Sequence, residues 1–351
     1  SGQYFQNDPF YFLKRQIVWY VIGLFVMFAV MLFDYELLEN VALPLYSIGL
    51  ALLVAVHFFG VVRNGSQRWI NLGGFLLQPS EFVKIFLIMV LASVIYKWVK
   101  NKDELEEKTP ITVVLKIIAF SLPAFFLILR QPDLGTALVI AAIMVTMVFI
   151  SGTSWKVLTT LAGSIVAGIA TLVYLHNHHF ELFTKVIKEH QLSRIYGWLN
   201  RQEYASSFGF QLTEALKGIG SGQVSGRGVF DGVQSQSGRI PEVQTDFIFA
   251  LIGEEFGFVG ATVVISIYFI MIYRMIIIAI QCDNPFGTYL VTGVIGLLAF
   301  QIFQNIGMTI GLMPITGLAL PFLSYGGSAL LTNMIAIGIV MNVKYRTKSF
   351  M

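Results

Sequence analysis

A single carboxylate in this chain stands where a polar segment gives way to an apolar one. Asp246 follows the run Arg239-Ile-Pro-Glu-Val-Gln-Thr and precedes Phe-Ile-Phe-Ala. If the apolar run enters a membrane, this carboxylate lies at the water–lipid boundary, within reach of the head group of a membrane-anchored substrate. The alternative is structural, since Thr245 or Asp246 at a helix N-cap would satisfy free amides and the helix dipole. The two roles are compatible, although capping lowers the pKa of a carboxylate and weakens it as a base.

Other charged residues interrupt the apolar stretches. Glu254 and Glu255 follow Asp246 about two turns deeper, where carboxylates are costly and are usually paired or functional. Glu81 and Lys84 lie three positions apart, so they share one helical face and can form an ion pair. We expect this pair to face the protein interior, as a structural pair that lets two charges enter the membrane rather than as a catalytic one.

Several arginines stand in the turns between apolar stretches. Arg63 and Arg68 fall in one such connection, and Arg130 opens the tight turn Arg130-Gln-Pro-Asp133. Arginine binds phosphate groups in bidentate fashion, but at an interface it also simply extends its charge to water. Both interpretations stay open from the residues alone. Asp133 is expected to cap the helix that follows its turn.

The elements that carry these residues are predicted by their length. The chain is 56% hydrophobic and 12% charged, with a mean hydropathy of +0.74, against about 25% charged residues in soluble domains. Its apolar stretches are close to the length at which a helix rising ~1.5 Å per residue crosses a hydrocarbon core ~30 Å thick. Continuous rather than alternating apolar runs exclude a β-barrel. We therefore predict an all-α, polytopic membrane protein with about nine transmembrane helices. The predicted spans are roughly 16–33, 41–59, 80–99, 112–129, 134–151, 157–175, 247–280, 287–310 and 327–343.

The distribution of charge predicts the topology. Lysines surround the connection between the third and fourth spans, and basic residues follow the last span, so both should be cytoplasmic. The stretch 247–280 is longer than one span and must cross once. The long segment 176–245 then falls on the outer face, where its aromatic residues favour an ordered extracellular loop. Ser1 would also lie outside, so a helix preceding Ser1 is expected to be absent from this chain.

Composition argues against several classes of function. The net charge of +3 is too small to indicate a nucleic-acid partner, and the single cysteine, Cys282, excludes an internal disulfide and a cysteine metal cluster. Four of the five histidines fall at 176, 178, 179 and 190, but their spacing fits no zinc signature and an exposed polar loop is the better interpretation. Between Met313 and Ser328, Pro and Gly break the helical pattern, which at membrane depth requires backbone that is buried or lines a cavity.

A set of short motifs in fixed order makes the whole chain resemble the SEDS family (shape, elongation, division and sporulation), and most of all its RodA branch. The motifs are Gln67-Arg-Trp-Ile, Gln78-Pro-Ser-Glu-Phe-Val-Lys, Gln131-Pro-Asp-Leu-Gly-Thr, Gly220-Ser-Gly, Gln234-Ser-Gln, Thr245-Asp-Phe-Ile-Phe-Ala, Gly253-Glu-Glu and Leu323-Ser-Tyr-Gly-Gly-Ser. The resemblance implies a single SEDS membrane domain over 1–351, with 176–245 as its large extracellular loop. The family has ten helices, of which the first is the one absent here.

The resemblance also implies an enzyme. Such a protein is a peptidoglycan glycosyltransferase of the bacterial plasma membrane, which polymerises lipid II into glycan strands at the outer face during elongation. Its partner is a class B penicillin-binding protein, which cross-links the strands. By resemblance through Thr-Asp-Phe-Ile-Phe, Asp246 is the general base, and undecaprenyl diphosphate leaves by an inverting displacement.

A departing diphosphate requires positive charge, so we expect some basic residues of the outer loops to converge on one cavity. Arg63 and Arg68 rank first because no acidic residue lies near them in the sequence. The substrate-binding candidates are Arg63, Arg68, Arg130, Lys217, Arg227, Arg239 and Glu242. A divalent cation, Mg²⁺ or Mn²⁺, could share this task, although no cofactor is certain and the sequence supplies no distinctive set of metal ligands.

Two other classes of function stay open. A lipid II flippase needs polar groups near the bilayer midplane and often two related halves, whereas this sequence has no related halves and most of its motif charges fall at the outer edge. A non-catalytic scaffold of a cell-wall complex would leave Asp246 with no role except that of a cap.

Overall fold

The apolar stretches of the chain form a bundle of long helices. The computed structural model describes residues 10–63, 66–71, 73, 75–102, 109–186, 189–204 and 208–347. The helices are α1 (Tyr11–Leu32), α2 (Leu38–Phe59), α3 (Pro79–Asn101), α4 (Ile111–Arg130), α5 (Leu134–Ile150), α6 (Trp155–His178), α7 (Phe180–Val186), α8 (Glu189–Leu199), α9 (Phe208–Gly222), α10 (Val233–Gln236), α11 (Ile248–Gln281), α12 (Pro285–Thr309) and α13 (Gly327–Arg346). A 3₁₀ turn, Tyr35–Leu37, precedes α2.

All nine predicted spans are helical. Within the described residues, eight helices are long and apolar enough to cross a membrane, and α5, with 17 residues, is a shorter apolar helix. The central helices α3, α12 and α13 are the most buried, whereas α6 has no buried residue. The polytopic helical fold predicted from span length is therefore confirmed.

A small antiparallel sheet, which the sequence pattern did not predict, joins α2 to α3. Its strands are β1 (Val61–Arg63), β2 (Ser66–Asn71) and β3 (Leu76–Leu77), in the order β1-β2-β3. Strand β2 carries Arg68 at its centre, and α3 begins two residues after β3 with Pro79 in its first turn. The sheet therefore fixes Arg68 against the start of α3.

Helix α11 is broken where the sequence predicted a stretch longer than one span. Gly257 takes φ 63° and ψ −161°, and the chain continues as a helix on both sides. The loop after α9 fills the break and binds the backbone groups that the break frees. Its hydrogen bonds run from Phe258 N to Gln223 O (2.9 Å), Val259 N to Val224 O (3.1 Å), Arg227 N to Glu254 O (3.0 Å) and Gly228 N to Glu255 O (3.1 Å).

The two glutamates of Gly253-Glu-Glu hold the same region together. The fully buried carboxylate of Glu254 accepts hydrogen bonds from the backbone amides of Gln234 and Ser235, both at 2.8 Å. Glu255 accepts one from Nε2 of Gln236, also at 2.8 Å. Both buried carboxylates are therefore paired with α10 and belong to the packing of the segment 176–245.

The predicted break between Met313 and Ser328 is present as segment 310–326, the connection from α12 to α13. Its backbone carbonyls accept hydrogen bonds from side chains of the helices around it, which replaces the bonds of a regular helix. The donors are Trp198 to Gly311 O (2.9 Å), Gln304 to Pro314 O (3.3 Å), Arg194 to Thr316 O (2.9 Å), Asn305 to Leu318 O (2.7 Å), Tyr268 to Pro321 O, Tyr20 to Phe322 O and Gln16 to Ser324 O (3.2 Å).

Candidate active site

A cavity of about 1220 Å³ opens at the end of the bundle where α1, α3, α5, α11 and α13 begin. Its wall comes from the first half of α1, strand β2, the starts of α3 and α5, the turn 242–246 and segment 310–326. The opposite ends of α3 and α13 carry Lys97, Lys100, Lys344 and Arg346. The cavity therefore lies at the end of the bundle away from these basic clusters.

Asp246 lines this cavity and caps no helix. The N-cap position of α11 is occupied by Phe247, and no side chain caps the helix. The hydroxyl of Thr245 is turned away from the helix and donates instead to the carbonyl and carboxylate of Glu242, both at 3.1 Å. The N-cap alternative for Thr245 or Asp246 is therefore wrong, because the tight turn 242–246 ends one residue too early for either side chain to reach the free amides.

Glu242 shapes the turn that presents Asp246. Its φ of 52° lies in the left-handed region, which is strained for a residue with a Cβ. Its carbonyl accepts the amides of Thr245 (3.0 Å), Asp246 (3.1 Å) and Phe247 (3.4 Å). Glu242 also lines the cavity, and its role in substrate binding stays a prediction.

The surroundings of Asp246 make it a stronger base than an ordinary aspartate. Burial, and then the nearby negative charge of Glu242, raise the pKa of Asp246 from 3.8 to about 6, while Arg68 and Arg194 act in the opposite direction. Its carboxylate receives no hydrogen bond from the residues that the structure describes. A carboxylate with this pKa is mostly ionised at neutral pH and retains enough basicity to take a proton from a hydroxyl group.

Arg68 lies at the cavity wall in an ion pair. Its Nη1 is 3.0 Å from Oδ2 of Asp133, and the Arg68 side chain is 18% exposed. No acidic residue lies near Arg68 in the sequence, but folding brings Asp133 to it from the start of α5. Burial alone would raise the pKa of Asp133, but Arg68 and Thr136 outweigh it and hold that pKa below its usual value. The predicted cap is confirmed, since Asp133 accepts the backbone amide of Thr136 at 3.0 Å.

Arg194 is a functional candidate that the sequence analysis missed. Helix α8 brings it to Gly317, where an added Cβ would lie 3.2 Å from Oδ2 of Asp246 and 4.0 Å from Nη1 of Arg194. Burial, and then the positive charge of Arg68, lower the pKa of Arg194. The available signal was a single arginine among apolar and aromatic residues, in Ser193-Arg-Ile-Tyr-Gly-Trp.

Most of the predicted basic residues do not meet at the cavity. Arg130 is exposed at the end of α4, and Arg227 and Arg239 are exposed between α9 and α11. Lys217 is 58% exposed and pairs with Glu214 on its own helix at 2.7 Å. The side chain of Arg63 lies outside the part of the chain that the structure describes.

The prediction that this set converges is therefore wrong for these four residues, since their helices and turns direct them to the surface. Among the described cavity residues, the basic ones are Arg68 and two residues of α1, Lys14 and Arg15. The adjacent pair Lys14-Arg15 near the start of α1 was visible in the sequence, but its position beside the cavity depends on the packing of α1 against α13.

The contact between Glu81 and Lys84 is present as predicted. Lys84 Nζ lies 2.8 Å from Glu81 Oε2, and the two side chains are 1% and 7% exposed. Glu81 also lines the floor of the cavity and lies 3.4 Å from the Thr332 hydroxyl of α13. The pair thus links the start of α3 to the cavity from the protein interior.

The described residues offer no group of three or more His, Cys, Asp and Glu side chains that would hold a metal ion. Two of the carboxylates at the cavity are already paired, Asp133 with Arg68 and Glu81 with Lys84. His176 contacts Asn177 and Tyr196 instead of other metal-ligand side chains. This arrangement does not fit a resident multi-ligand metal site, and the side chain of His190 lies outside the described residues.

Relatives of this chain have been named as cell-wall enzymes. A family model described as "Cell cycle protein", FTSW_RODA_SPOVE, matches residues 1–349. The probable peptidoglycan glycosyltransferase FtsW of Trichlorobacter lovleyi is 38% identical over 96% of this chain and 84% of its own length. Stage V sporulation protein E of Bacillus subtilis is 36% identical over 96% of this chain and 88% of its own length. The peptidoglycan glycosyltransferase MrdB of Escherichia coli K12 is 33% identical over 96% and 86%.

Solved structures share the fold. A chain from a peptidoglycan synthase complex, studied for its coordination of polymerization and crosslinking, superposes with a TM-score of 0.78 at 28% identity, over 97% of this chain and 91% of that one. The rod shape determining protein RodA of Thermus thermophilus superposes with a TM-score of 0.68 at 27% identity, over 98% and 90%. With its motifs, its helical fold and these matches over nearly its whole length, the chain belongs to the SEDS family of FtsW, RodA and SpoVE proteins and is a peptidoglycan glycosyltransferase.

Proposed function

We propose that this enzyme polymerises lipid II into glycan strands at the outer face of the plasma membrane, with Asp246 as the general base. The proposal rests on the position of Asp246. Its half-buried carboxylate caps no helix, faces a large cavity and has a pKa raised to about 6. The cavity opens at the end of the bundle opposite the basic clusters of α3 and α13, which under the positive-inside rule supports a location at the outer face.

The reaction needs one base and no general acid. Asp246 takes the proton of the acceptor sugar's hydroxyl, whose oxygen forms a bond to the anomeric carbon of the donor sugar. The bond from that carbon to the diphosphate oxygen breaks at the same time, and undecaprenyl diphosphate leaves with the electron pair. A single direct displacement of this kind inverts the anomeric configuration.

The leaving diphosphate requires positive charge at the cavity wall. Arg68, Lys14 and Arg15 line the same cavity as Asp246 and are proposed to bind the diphosphate in place of the exposed arginines of the outer loops. We also propose that a divalent cation, Mg²⁺ or Mn²⁺, enters with the substrate and adds positive charge beside the diphosphate. The steps assigned to the residues above do not depend on it.

A class B penicillin-binding protein is the proposed partner. The support is the structural match to a chain from a peptidoglycan synthase complex whose subject is polymerization and crosslinking. A role in cell elongation, as in the RodA branch, is proposed from the motifs and from the match to the Thermus thermophilus protein.

Polymerisation of purified lipid II by the purified chain tests the proposal. We expect glycan strands from the wild type and a rate lower by a factor on the order of 100 or more from Asp246→Asn, because this substitution keeps the shape of the side chain and removes the proton acceptor. Asp231→Asn is the matched control, since Asp231 is an exposed aspartate of the outer loop away from the cavity. It should retain the wild-type rate.

The same experiment separates the alternatives. A flippase would move labelled lipid II across vesicles without forming polymer, and a scaffold would do neither while still binding its partner. Near wild-type polymerisation by Asp246→Asn would show that Asp246 is not the base.

A further inference from the structure

Three successive backbone carbonyls hold the turn that ends at Asp246. The carbonyl of Gln244 accepts the amide of Tyr325 at 2.8 Å, and that of Thr245 accepts the Ser324 hydroxyl at 2.6 Å. The carbonyl of Asp246 itself accepts Nδ2 of Asn305 at 2.8 Å. The backbone on the N-terminal side of α11 is therefore fixed to α12 and segment 310–326.

Asn305 makes the central contact. It is fully buried on α12, and its amide nitrogen donates to two carbonyls at once, those of Asp246 (2.8 Å) and Leu318 (2.7 Å). Two carbonyl oxygens at these distances require a donor with two hydrogens, which the NH₂ group of asparagine supplies. The side chain thereby joins the Asp246 turn to the wall of the cavity.

The contact matters because the start of α11 has free amides. Phe247 is its N-cap without a side-chain cap, so the first amides of the helix have no side-chain partner there. Asp246 precedes Phe247 by one residue, so a change in the turn that made Asp246 the N-cap would offer its carboxylate to these amides. An aspartate that caps a helix loses basicity, because hydrogen bonds to the charged form lower its pKa.

We propose that Asn305 is a positioning residue that keeps Asp246 out of the N-cap position and its carboxylate in the cavity. The inference rests on the proposed function of Asp246 as the base. Asn305 acts through the Asp246 backbone and does not line the cavity.

Other charged groups also act on Asp246. Glu242 belongs to its own turn, Arg68 to β2, Asp133 to the start of α5 and Arg194 to α8. Glu81, Lys14 and Arg15 line the same cavity. All of them stay in place in an Asn305 variant, so a change in the pH profile reports the position of Asp246 rather than a change of charge.

The test is the pH profile of lipid II polymerisation by the purified, full chain, with Asn305→Ala compared with Gln304→Ala. Gln304 is the matched control because it lies next to Asn305, is equally buried, and donates to Pro314 O of the same segment without touching the Asp246 turn. We expect Asn305→Ala to reduce the plateau rate about 10- to 100-fold, as small misplacements of a reacting group do. The acidic limb of the pH–rate profile, where the rate falls as Asp246 is protonated, should move from about pH 6 toward the ordinary aspartate value near 4.

A purely structural role would reduce the amount of folded protein in both variants and leave the limb where it is. That result, with Asp246→Asn still inactive, would overturn the inference and leave the proposed function intact, whereas an active Asp246→Asn would overturn the proposed function itself. Ser324→Ala, which releases the Thr245 carbonyl and the Leu320 amide but leaves the Asp246 carbonyl bound to Asn305, provides a milder variant if Asn305→Ala does not fold. It should shift the limb in the same direction by a smaller amount, and an unshifted limb in this variant would also contradict the inference.

Discussion

Arg68 and Asp133 form an ion pair at the cavity wall, with Nη1 of the arginine 3.0 Å from Oδ2 of the aspartate. The same carboxylate accepts Nε2 of Gln78 at 3.2 Å and the hydroxyl of Thr136 at 3.0 Å. One aspartate thus joins strand β2, the start of α3 and the start of α5. The position of Arg68 beside the cavity depends on this junction.

Loss of the Asp133 charge should destabilise the fold. We expect Asp133→Asn to lower the free energy of unfolding by about 3 kcal/mol, because it leaves the largely buried Arg68 without a counter-charge. Asp34→Asn is the control, since the Asp34–Arg346 pair is 39% and 35% exposed and should contribute less than about 1 kcal/mol. Chemical unfolding in detergent measures both, and equal losses would contradict the prediction.

Polymerisation should fall in acid as Asp246 becomes protonated. The pKa of Asp246 is raised to about 6, so kcat/KM should decline below that pH and reach about a tenth of its plateau at pH 5. The effect of pH on stability has the opposite sign. Because the pKa of Asp246 is raised on folding, the folded state binds this proton more tightly than the unfolded chain does. The resulting contribution to the free energy of unfolding is lost as the pH rises through about 6.

The pH dependence of stability distinguishes Asp133 from Asp246. The pKa of Asp133 is lowered, so its stabilising charge is present at neutral pH and is lost only as the pH falls through a value below 3.8. A limb near pH 6 that persists in the residual activity of Asp246→Asn would assign that limb to another group.

Glu81 and Lys84 should show strong coupling in a double-mutant cycle. Lys84→Met or Glu81→Gln alone should cost several kcal/mol of unfolding free energy, because each leaves one buried charge unpaired. The double variant should cost less than the sum of the two single losses. Lys217 and Glu214 have the same i,i+3 spacing and a similar distance of 2.7 Å, but Lys217 is 58% exposed. Their coupling should stay below about 0.5 kcal/mol, and comparable coupling in the two cycles would contradict the role of burial.

Gly257 should not tolerate a side chain. Its φ is 63°, and an added Cβ would lie 2.3 Å from Gly226 N, a backbone atom of the loop that fills the break in α11. We expect Gly257→Ala to cost about 2–4 kcal/mol of unfolding free energy. Gly168→Ala in α6, where no atom lies within 4 Å of the added Cβ, should be neutral or stabilising by up to about 1 kcal/mol. Thermal unfolding of the two variants compares them directly, and a tolerated Gly257→Ala would show that the break can move.

The sequence by itself determined the features that depend on neighbouring residues. The length of the apolar stretches predicted the helices, because the thickness of a bilayer sets the length of a span. The spacing of Glu81 and Lys84 predicted their contact, and Asp133 before Leu134 predicted the cap of α5. In each case the partners lie within one helical turn, so local geometry is sufficient.

Tertiary structure alone decided which distant groups surround Asp246. Asp133 approaches Arg68 only through the packing of α5 against α3 and β2, and Arg194 arrives on α8, far from both in the sequence. The sequence also could not predict that Arg130, Arg227 and Arg239 are exposed. A basic residue in a turn has the same sequence signature whether it faces a cavity or water. Whether Asp246 caps α11 was decided by the hydrogen bonds from Asn305, Ser324 and Tyr325 to its turn. These contacts join segments far apart in the chain, and only the folded packing of α12 and segment 310–326 brings them together.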